Sequence, residues 1–193
     1  MRLAIYGGSF DPPHLGHFLS AQDAIEQLQL DRLVLVPAAT QPLKAGRAAA
    51  SAEHRLAMVR LMVEGDRRFD VSATEVQRAG LSYSVDTLSQ FAAEHPADER
   101  YFLVGADVLS TFSQWREPER VLELARVVVL ERGGAIGSAS DAVILGHRVR
   151  RLATRRIDVS STEIRERVRQ GWPIRGFVAD NVAAYIARHG LYR

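Results

Sequence analysis

The chain has 193 residues and no cysteine, and its 25 lysines and arginines against 23 aspartates and glutamates leave a formal net charge of +2. The missing cysteines exclude a disulfide framework and any thiolate metal site. With 47% hydrophobic and 25% charged residues, the composition is that of a globular protein. We predict one domain over residues 1–193 in the cytoplasm, with no signal peptide and no membrane span.

Short apolar runs alternate with stretches of helical periodicity along the chain. The predicted order is strand 2–6, helix 15–30, strand 33–37, loop 40–50, a helix from 51, strand 69–73, helix 85–95, strand 101–105, helix 117–125, strand 127–130, loop 133–140, a weak strand 156–159, and helices 160–170 and 180–189. Strands that read as continuous apolar runs favour a parallel sheet with helices on both faces. The predicted fold is therefore a single Rossmann-like, doubly wound α/β domain, in which ligands bind at the carboxyl ends of the strands.

The sequence GGSFDPPHLGH at residues 7–17 joins the first predicted strand to the first predicted helix. Gly7 and Gly8 predict a turn that lets the backbone approach a ligand, and a helix N-terminus beyond it favours anions. His14 and His17 lie on one face of the first helical turn, where imidazoles can donate to phosphate oxygens. A dinucleotide site would require G-x-G-x-x-G, and a zinc site a third ligand, so phosphate binding is favoured over these and over a structural role.

A second polar cluster begins the helix predicted at 160–170. Ser160 and Glu163 have the capping-box spacing, so ordinary helix capping explains part of it. The hydroxyls of Ser161 and Thr162 and the guanidinium of Arg165 exceed what a cap requires, and could grip a polyphosphate. On the residues alone, both interpretations stay open. Two such clusters at one sheet suggest a bound triphosphate, which implies Mg²⁺ as its companion.

Residues 7–17 resemble the signature of the HxGH nucleotidyltransferase superfamily in the form carried by nicotinate-nucleotide adenylyltransferases, and VSSTEIR at 159–165 resembles its ISSTxIR signature. The resemblance implies a nucleotidyltransferase-type fold and adenylyl transfer from ATP to nicotinate mononucleotide, in NAD biosynthesis. It implies catalytic roles for His14, His17 and Arg165. Besides these three, it implies ATP contacts at Gly8, Ser9, Phe10, Gly105, Asp107, Ser161 and Thr162.

Segments in the middle of the chain extend the resemblance to the acceptor. Residues 75–88 resemble the run E-x-x-R-x-G-x-S-Y-T-x-D-T-L, which implies that Tyr83 and Ser84 offer backbone N–H groups to the nicotinate carboxylate. Ser84 stands where that run has threonine. Trp115 after Gly105-Ala106-Asp107 matches G-x-D…W, which implies stacking on the pyridine ring. A tryptophan of the core is the alternative.

Two basic residues are candidates for the acceptor's phosphate. Lys44 closes PAATQPLK, which resembles P-x-x-x-P-P-H-K with Gln41 and Leu43 replacing a proline and the histidine. Arg132 follows a predicted strand, and an exposed strand-end charge is the alternative interpretation. No metal site formed by protein side chains alone is predicted.

Other functions compete with this one. A basic run could meet nucleic-acid phosphates, but it contains no aromatic residue to stack on bases, and a solvated face is favoured. The run consists of Arg148, Arg150, Arg151, Arg155 and Arg156. A transferase for the amide mononucleotide or for phosphopantetheine, and a non-catalytic nucleotide sensor, are the other rivals. We expect ATP and nicotinate mononucleotide as partners, without nucleic acid or membrane, and leave a homo-oligomer open.

Overall fold

The structure, a computed structural model, describes residues 1–42, 49–133, 136 and 139–193. Its strands are β1 (Arg2–Gly8), β2 (Arg32–Pro37), β3 (Phe69–Val71), β4 (Glu99–Gly105), β5 (Arg126–Arg132), β6 (Ala139–Ile144) and β7 (His147–Thr154). They form one sheet in the order β3-β2-β1-β4-β5-β7-β6. Only the β6–β7 pairing among the described strands is antiparallel.

The helices cover the sheet on both faces. They are α1 (Leu15–Leu28), α2 (Ala52–Met62), α3 (Thr74–Arg78), α4 (Ser84–Glu94), α5 (Pro118–Leu124), α6 (Ser161–Arg169) and α7 (Asp180–Arg188), with short 3-10 helices at Ala106–Ser110 and Phe112–Gln114. Alternate strand residues face opposite layers, as a parallel strand buried on both sides requires. Ala4 packs with α1, α2 and α7, whereas its neighbours Leu3 and Ile5 pack with α4 and α5.

The topology fixes where a ligand can bind. From β1 the chain moves outward to β2 and β3, and then returns to β4 on the other side of β1. Between β1 and β4 the strand order reverses, which leaves a crevice at their carboxyl ends. The predicted doubly wound, Rossmann-like fold is confirmed. Within the described ranges, no helix combines the length and the apolar character that crossing a bilayer requires.

The last part of the sheet differs from the prediction. Residues 156–159 form no strand, and the basic run instead belongs largely to β7 in a hairpin with β6. Val149 is buried while its neighbours Arg148 and Arg150 are exposed, so this part of the edge pair has one solvated face. The turn at Leu145 and Gly146 has positive φ at both residues, as two-residue hairpins favour.

Candidate active site

The segment between β1 and α1, here called the phosphate loop (residues 9–14), begins differently from the prediction. Gly7 and Gly8 are the last residues of β1 and neither has a positive φ, so the predicted glycine turn is wrong. The left-handed residue is Phe10, with φ of 50°. Its buried ring folds back over the strand end, and a Cβ on Gly8 would lie 3.0 Å from it. Gly8 therefore makes room for Phe10.

His14 and His17 lie at the start of α1, as predicted, with ring centroids 3.7 Å apart. The backbone N–H of His14 donates to Nδ1 of His17 at 3.3 Å. Because Nδ1 accepts this bond, a neutral His17 carries its proton on Nε2 and can donate from there. A Cβ on Gly16 would approach the His14 ring to 3.0 Å, which explains a glycine between the histidines.

Both imidazoles are uncharged at neutral pH. Burial, and then the charge of Arg132, lower the pKa of His14 to about 4. Burial, the neighbouring His14 and Arg132 together lower the pKa of His17 well below its ordinary value. In the free protein the pair therefore offers N–H donors without positive charge, and incoming phosphates would raise both pKa values.

The start of α6 meets the phosphate loop, as the triphosphate hypothesis requires. The Ser161 hydroxyl donates to the carbonyl of Pro12 at 2.9 Å, and Arg165 Nη1 donates to the carbonyl of Asp11 at 2.8 Å. A second guanidinium nitrogen, Nη2, lies 3.2 Å from the Thr162 hydroxyl. Two clusters about 150 residues apart in the sequence thus form one site.

The hydrogen bonds of α6 refine the interpretation of its polar residues. Ser160 is the N-cap and its hydroxyl accepts from the backbone N–H of Glu163 at 3.1 Å, as the capping-box spacing predicts. The backbone N–H groups of Ser161 and Thr162 have no partner within the helix. The Ser161 hydroxyl donates to Pro12, so the donors of the first turn that an anion can take are these N–H groups and the Thr162 hydroxyl, which accepts from Arg165 and keeps its own proton to donate.

A buried arginine that the sequence analysis did not single out holds the other side of the loop. Arg55 on α2 is 2% exposed and donates to the carbonyls of Ser9 at 2.8 Å and Ala38 at 2.6 Å. It also donates to Ala39 at 2.8 Å and Ala50 at 3.2 Å. The available signal was its place on the apolar face of α2, where a charged residue requires buried partners.

Tyr83 and Ser84, which are candidates for binding the acceptor, lie at the start of α4. Tyr83 is the N-cap residue and Ser84 the first helical residue, so backbone N–H groups of this turn lack partners within the helix. The Tyr83 ring is half-buried, with the Arg116 guanidinium 5.0 Å from its centroid. Glu75 on α3 stabilises the position of α4 by accepting a hydrogen bond from Thr87 Oγ1 at 2.6 Å. The helix terminus suits a carboxylate.

Gly105 is the last residue of β4, and Asp107 and Trp115 follow the strand. Asp107 is exposed, and its carboxylate is so close that a Cβ on Gly105 would lie 2.7 Å from Oδ1. Trp115 is half-buried and stacks on Phe112 at 5.0 Å between ring centroids. Trp115 thus packs at the edge of the core and also keeps exposed surface, so both interpretations of this residue describe part of its position.

Arg132 ends β5 on the site side of the sheet, where its charge acts on both histidines. It is exposed and borders a cavity of about 400 Å³ with Arg151 and Arg156. Most of the basic run meets carboxylates, which favours the solvated-face interpretation. The pairs are Arg148–Asp141 at 3.5 Å, Arg151–Glu131 at 3.7 Å, Arg155–Asp23 at 3.2 Å and Arg156–Asp158 at 3.0 Å.

The remaining acceptor candidate, Lys44, lies outside the described residues, as does Leu43. Gln41, the other departure from the family pattern, is described and accepts a hydrogen bond from the Ser9 hydroxyl at 2.8 Å. The side chain that replaces a proline therefore touches a residue expected to contact ATP.

A crevice at the switch point of a doubly wound sheet, lined by neutral histidines and two helix N-termini, is the site of a nucleotide-binding α/β protein. Comparison with known proteins narrows this class. A family model described as cytidylyltransferase-like matches residues 5–167. A probable nicotinate-nucleotide adenylyltransferase of Gemmatimonas aurantiaca is 50% identical over 200 residues, which cover all of this chain and 93% of that protein.

A second relative, from Thermus thermophilus and with the same description, is 42% identical, and the match covers both chains completely. Among solved structures, Plasmodium falciparum nicotinic acid mononucleotide adenylyltransferase complexed with NaAD has a TM-score of 0.76 at 18% identity, covering 99% of this chain and 97% of that one. That likeness concerns the fold. The chain belongs to the cytidylyltransferase-like family and, within it, to the nicotinate-nucleotide adenylyltransferases.

Proposed function

We propose that this chain transfers the adenylyl group of ATP to nicotinate mononucleotide, giving nicotinate adenine dinucleotide and pyrophosphate in NAD biosynthesis. The observation that carries the proposal is the meeting of two anion-binding segments, in which Ser161 and Arg165 bond to the main chain of the phosphate loop. Full-length relatives at 42% and 50% identity are named for this activity. One continuous sheet supports treating residues 1–193 as a single domain.

The reaction needs no protein nucleophile. An oxygen of the acceptor's phosphate attacks the α-phosphorus of ATP, and the bond from that phosphorus to the oxygen bridging to the β-phosphate breaks. Pyrophosphate leaves with the electron pair. The attacking group is already an anion, so the protein has to align two anionic reactants and stabilise the charge that builds up on the transferred group.

We assign the α-phosphate to His17, donating from Nε2, because its Nδ1 is occupied by the His14 backbone. His14, the unused N–H groups of Arg165 and the backbone N–H groups of Ser161 and Thr162 hold the β- and γ-phosphates. The Ser161 hydroxyl positions the loop instead, since it is engaged with Pro12. The other proposed ATP contacts are Gly8, Ser9, Phe10, Gly105 and Asp107.

On the acceptor side, we propose that the start of α4 binds the nicotinate carboxylate. The N–H groups there are donors only, so they suit a carboxylate better than an amide, whose NH₂ group is itself a donor. Tyr83 and Ser84 carry this contact, and Trp115 offers its remaining surface to the pyridine ring. Arg132 and Lys44 are proposed for the acceptor's phosphate.

Magnesium fits this site as a companion of ATP. Mg²⁺ is usually held by one or two carboxylates together with substrate phosphates, and Asp107 is an exposed carboxylate beside the strand ends. The described residues contain no cluster of three metal-ligating side chains. We propose that Mg²⁺ arrives on the triphosphate and neutralises its charge. Since the reaction consumes ATP, we propose a cytoplasmic location.

The test is pyrophosphate release from ATP and Mg²⁺ with nicotinate mononucleotide, its amide and phosphopantetheine as alternative acceptors. We expect turnover with the acid and a kcat/KM at least tenfold lower with the amide, because one hydrogen bond to a charged group is lost. Preference for the amide or for phosphopantetheine would reassign the acceptor. ATP binding without pyrophosphate release on any acceptor would favour a nucleotide sensor.

A further inference from the structure

We propose that Tyr192 is a positioning residue of the ATP site, which acts by holding Asp11 and through it the phosphate loop. The inference rests on the proposed function, since it takes residues 9–14 to be the loop that ATP meets. Neither Tyr192 nor the Asp11 carboxylate is among the residues proposed to contact substrate. Their part is to fix the main chain between the two phosphate-binding clusters.

The Asp11 carboxylate is buried, with the residue 4% exposed, and its hydrogen bonds come from uncharged donors. Oδ1 accepts from the Tyr192 hydroxyl at 2.7 Å and from the backbone N–H of Ala50 at 3.2 Å. Oδ2 accepts from the backbone N–H of Ala49 at 2.7 Å. A buried carboxylate that loses one such donor is destabilised, and the chain carrying it shifts to regain a donor or water.

The main chain at Asp11 is also where α6 holds the loop. The Asp11 carbonyl accepts from Arg165, and the next carbonyl, that of Pro12, accepts from Ser161. A displacement of Asp11 therefore moves the partner of Arg165 directly, and it moves His14 three residues later. The side chain and the main chain of Asp11 link the segment after α7 to both phosphate-binding clusters.

Tyr192 is itself held firmly. It is 8% exposed, packs in the same apolar cluster as Phe10 and Ile164, and has φ of 67°, which a tyrosine rarely adopts. A residue keeps such a backbone conformation only when its surroundings fix it. Burial, and then the negative charge of Asp11, raise the pKa of its hydroxyl, which therefore stays protonated and donates at physiological pH.

The experiment compares Tyr192→Phe with Tyr185→Phe, a matched control in the same part of the chain. The Tyr185 hydroxyl makes a hydrogen bond of 2.9 Å with His54 Nδ1 and none with residues 9–14 of the phosphate loop. The ATP dissociation constant is measured by calorimetry without acceptor, and steady-state pyrophosphate release gives both KM values. We expect Tyr192→Phe to weaken ATP binding and lower kcat/KM for ATP about tenfold, with the acceptor KM within about twofold.

Tyr185→Phe is expected to match the wild type in both ATP measurements. Equal ATP affinity in the two variants would overturn the inference. A lower melting temperature of Tyr192→Phe would not rescue it, because lost stability without lost ATP affinity shows that the hydrogen bond is only structural. Asp11→Asn supplies the second arm. If Tyr192 acts through Asp11, Tyr192→Phe adds less than twofold to the loss caused by Asp11→Asn, whereas fully additive losses would contradict the inference.

The two proposals fail separately. Wild-type protein that binds ATP but releases no pyrophosphate with any acceptor contradicts the proposed function, and the ATP affinities of the variants still decide the role of Tyr192. Wild-type protein that binds no ATP contradicts both.

Discussion

The two sides of the site are built differently. On the ATP side, Asp11 and His14 are 4% and 2% exposed, and the loop carbonyls accept from buried or half-buried donors on α2 and α6. On the acceptor side, Arg132 is exposed, while Tyr83 and Trp115 are half-buried. The Tyr83 ring contacts the Arg116 guanidinium, and the Trp115 ring stacks on Phe112.

The difference indicates how the work is divided. Charge builds up at the α-phosphate, so the groups around it gain most from being fixed before the reaction, since no reorganisation is then needed. The acceptor ring and carboxylate change little during transfer, so flat side-chain surfaces and a helix terminus are enough to select them. Changes on the ATP side should lower kcat, and changes on the acceptor side should raise KM.

The largest expected effect follows His17→Ala. Removing one preorganised donor to the developing charge typically costs about 3 kcal/mol, so kcat should fall at least about a hundredfold. The acceptor KM should change little, because the imidazole is assigned to the α-phosphate. Steady-state pyrophosphate release at saturating substrates measures both.

The control is His147→Ala, which removes an exposed imidazole from the hairpin and should leave kcat unchanged. Near-normal turnover in His17→Ala with unchanged thermal stability would show that this histidine is not part of the reaction centre. The proposed division between the two sides would then lose its main support.

Much of the fold could be predicted because its central strands are buried on both faces and read as plain apolar runs. Val127–Leu130 shows such a run clearly, whereas His147–Thr154 mixes three arginines with its apolar residues and resembles a charged surface. The β6–β7 hairpin at the edge of the sheet thus lacks the continuous apolar run that identifies a strand buried on both faces. The role of Arg155 could not be predicted either. Its backbone N–H and its guanidinium contact the buried Asp23 on α1, which lies 132 residues away in the sequence.

The polar residues of the site could be found, but the residues that support them could not. His14, His17 and Arg165 belong to short local motifs, which a sequence displays directly. Arg55 and the Asp11 carboxylate bond to backbone carbonyls and N–H groups of distant segments. Because nearly every residue has the same backbone groups, the sequence does not show which of them a side chain will contact. The turn predicted at Gly8 was wrong for the same reason, since the glycine there makes room for the ring of Phe10, which comes into contact only in the folded chain.

The second-largest expected effect is a loss of unfolding free energy at acid pH, caused by the buried His14 on the ATP side. Because the pKa of His14 is about 4 in the folded protein and near 6.5 when unfolded, the folded state takes up fewer protons. The titration of His14 therefore leaves the free energy of unfolding unchanged above pH 6.5 and lowers it as the pH falls from 6.5 towards 4. Between pH 7 and 5 the wild type should lose about 1 to 2 kcal/mol more unfolding free energy than His14→Gln.

Urea unfolding at the two pH values measures this difference, and His147→Gln, on the exposed hairpin, should keep the wild-type dependence. If His14→Gln lost as much stability as the wild type, the His14 ring would be solvated rather than buried. The ATP side would then not be the more enclosed of the two.

The smallest effect should come from Trp115→Ala on the acceptor side. Stacking of aromatic rings contributes roughly 0.5 to 1.5 kcal/mol, so the acceptor KM should rise up to about tenfold. The kcat should stay within about threefold and the ATP dissociation constant should not change. Trp172→Ala, which removes the other tryptophan at an exposed position, is the matched control for the acceptor KM.

This pattern separates a binding surface from a part of the reaction centre. A side chain that holds the acceptor equally well before and during transfer changes KM alone, whereas one that is needed only at the transition state changes kcat. Because Trp115 also stacks on Phe112, its loss could loosen the segment that carries Asp107. If Trp115→Ala lowered kcat and weakened ATP binding together, that stacking would link the two sides of the site. The acceptor side would then have to be described as a fixed part of the reaction centre, like the phosphate loop.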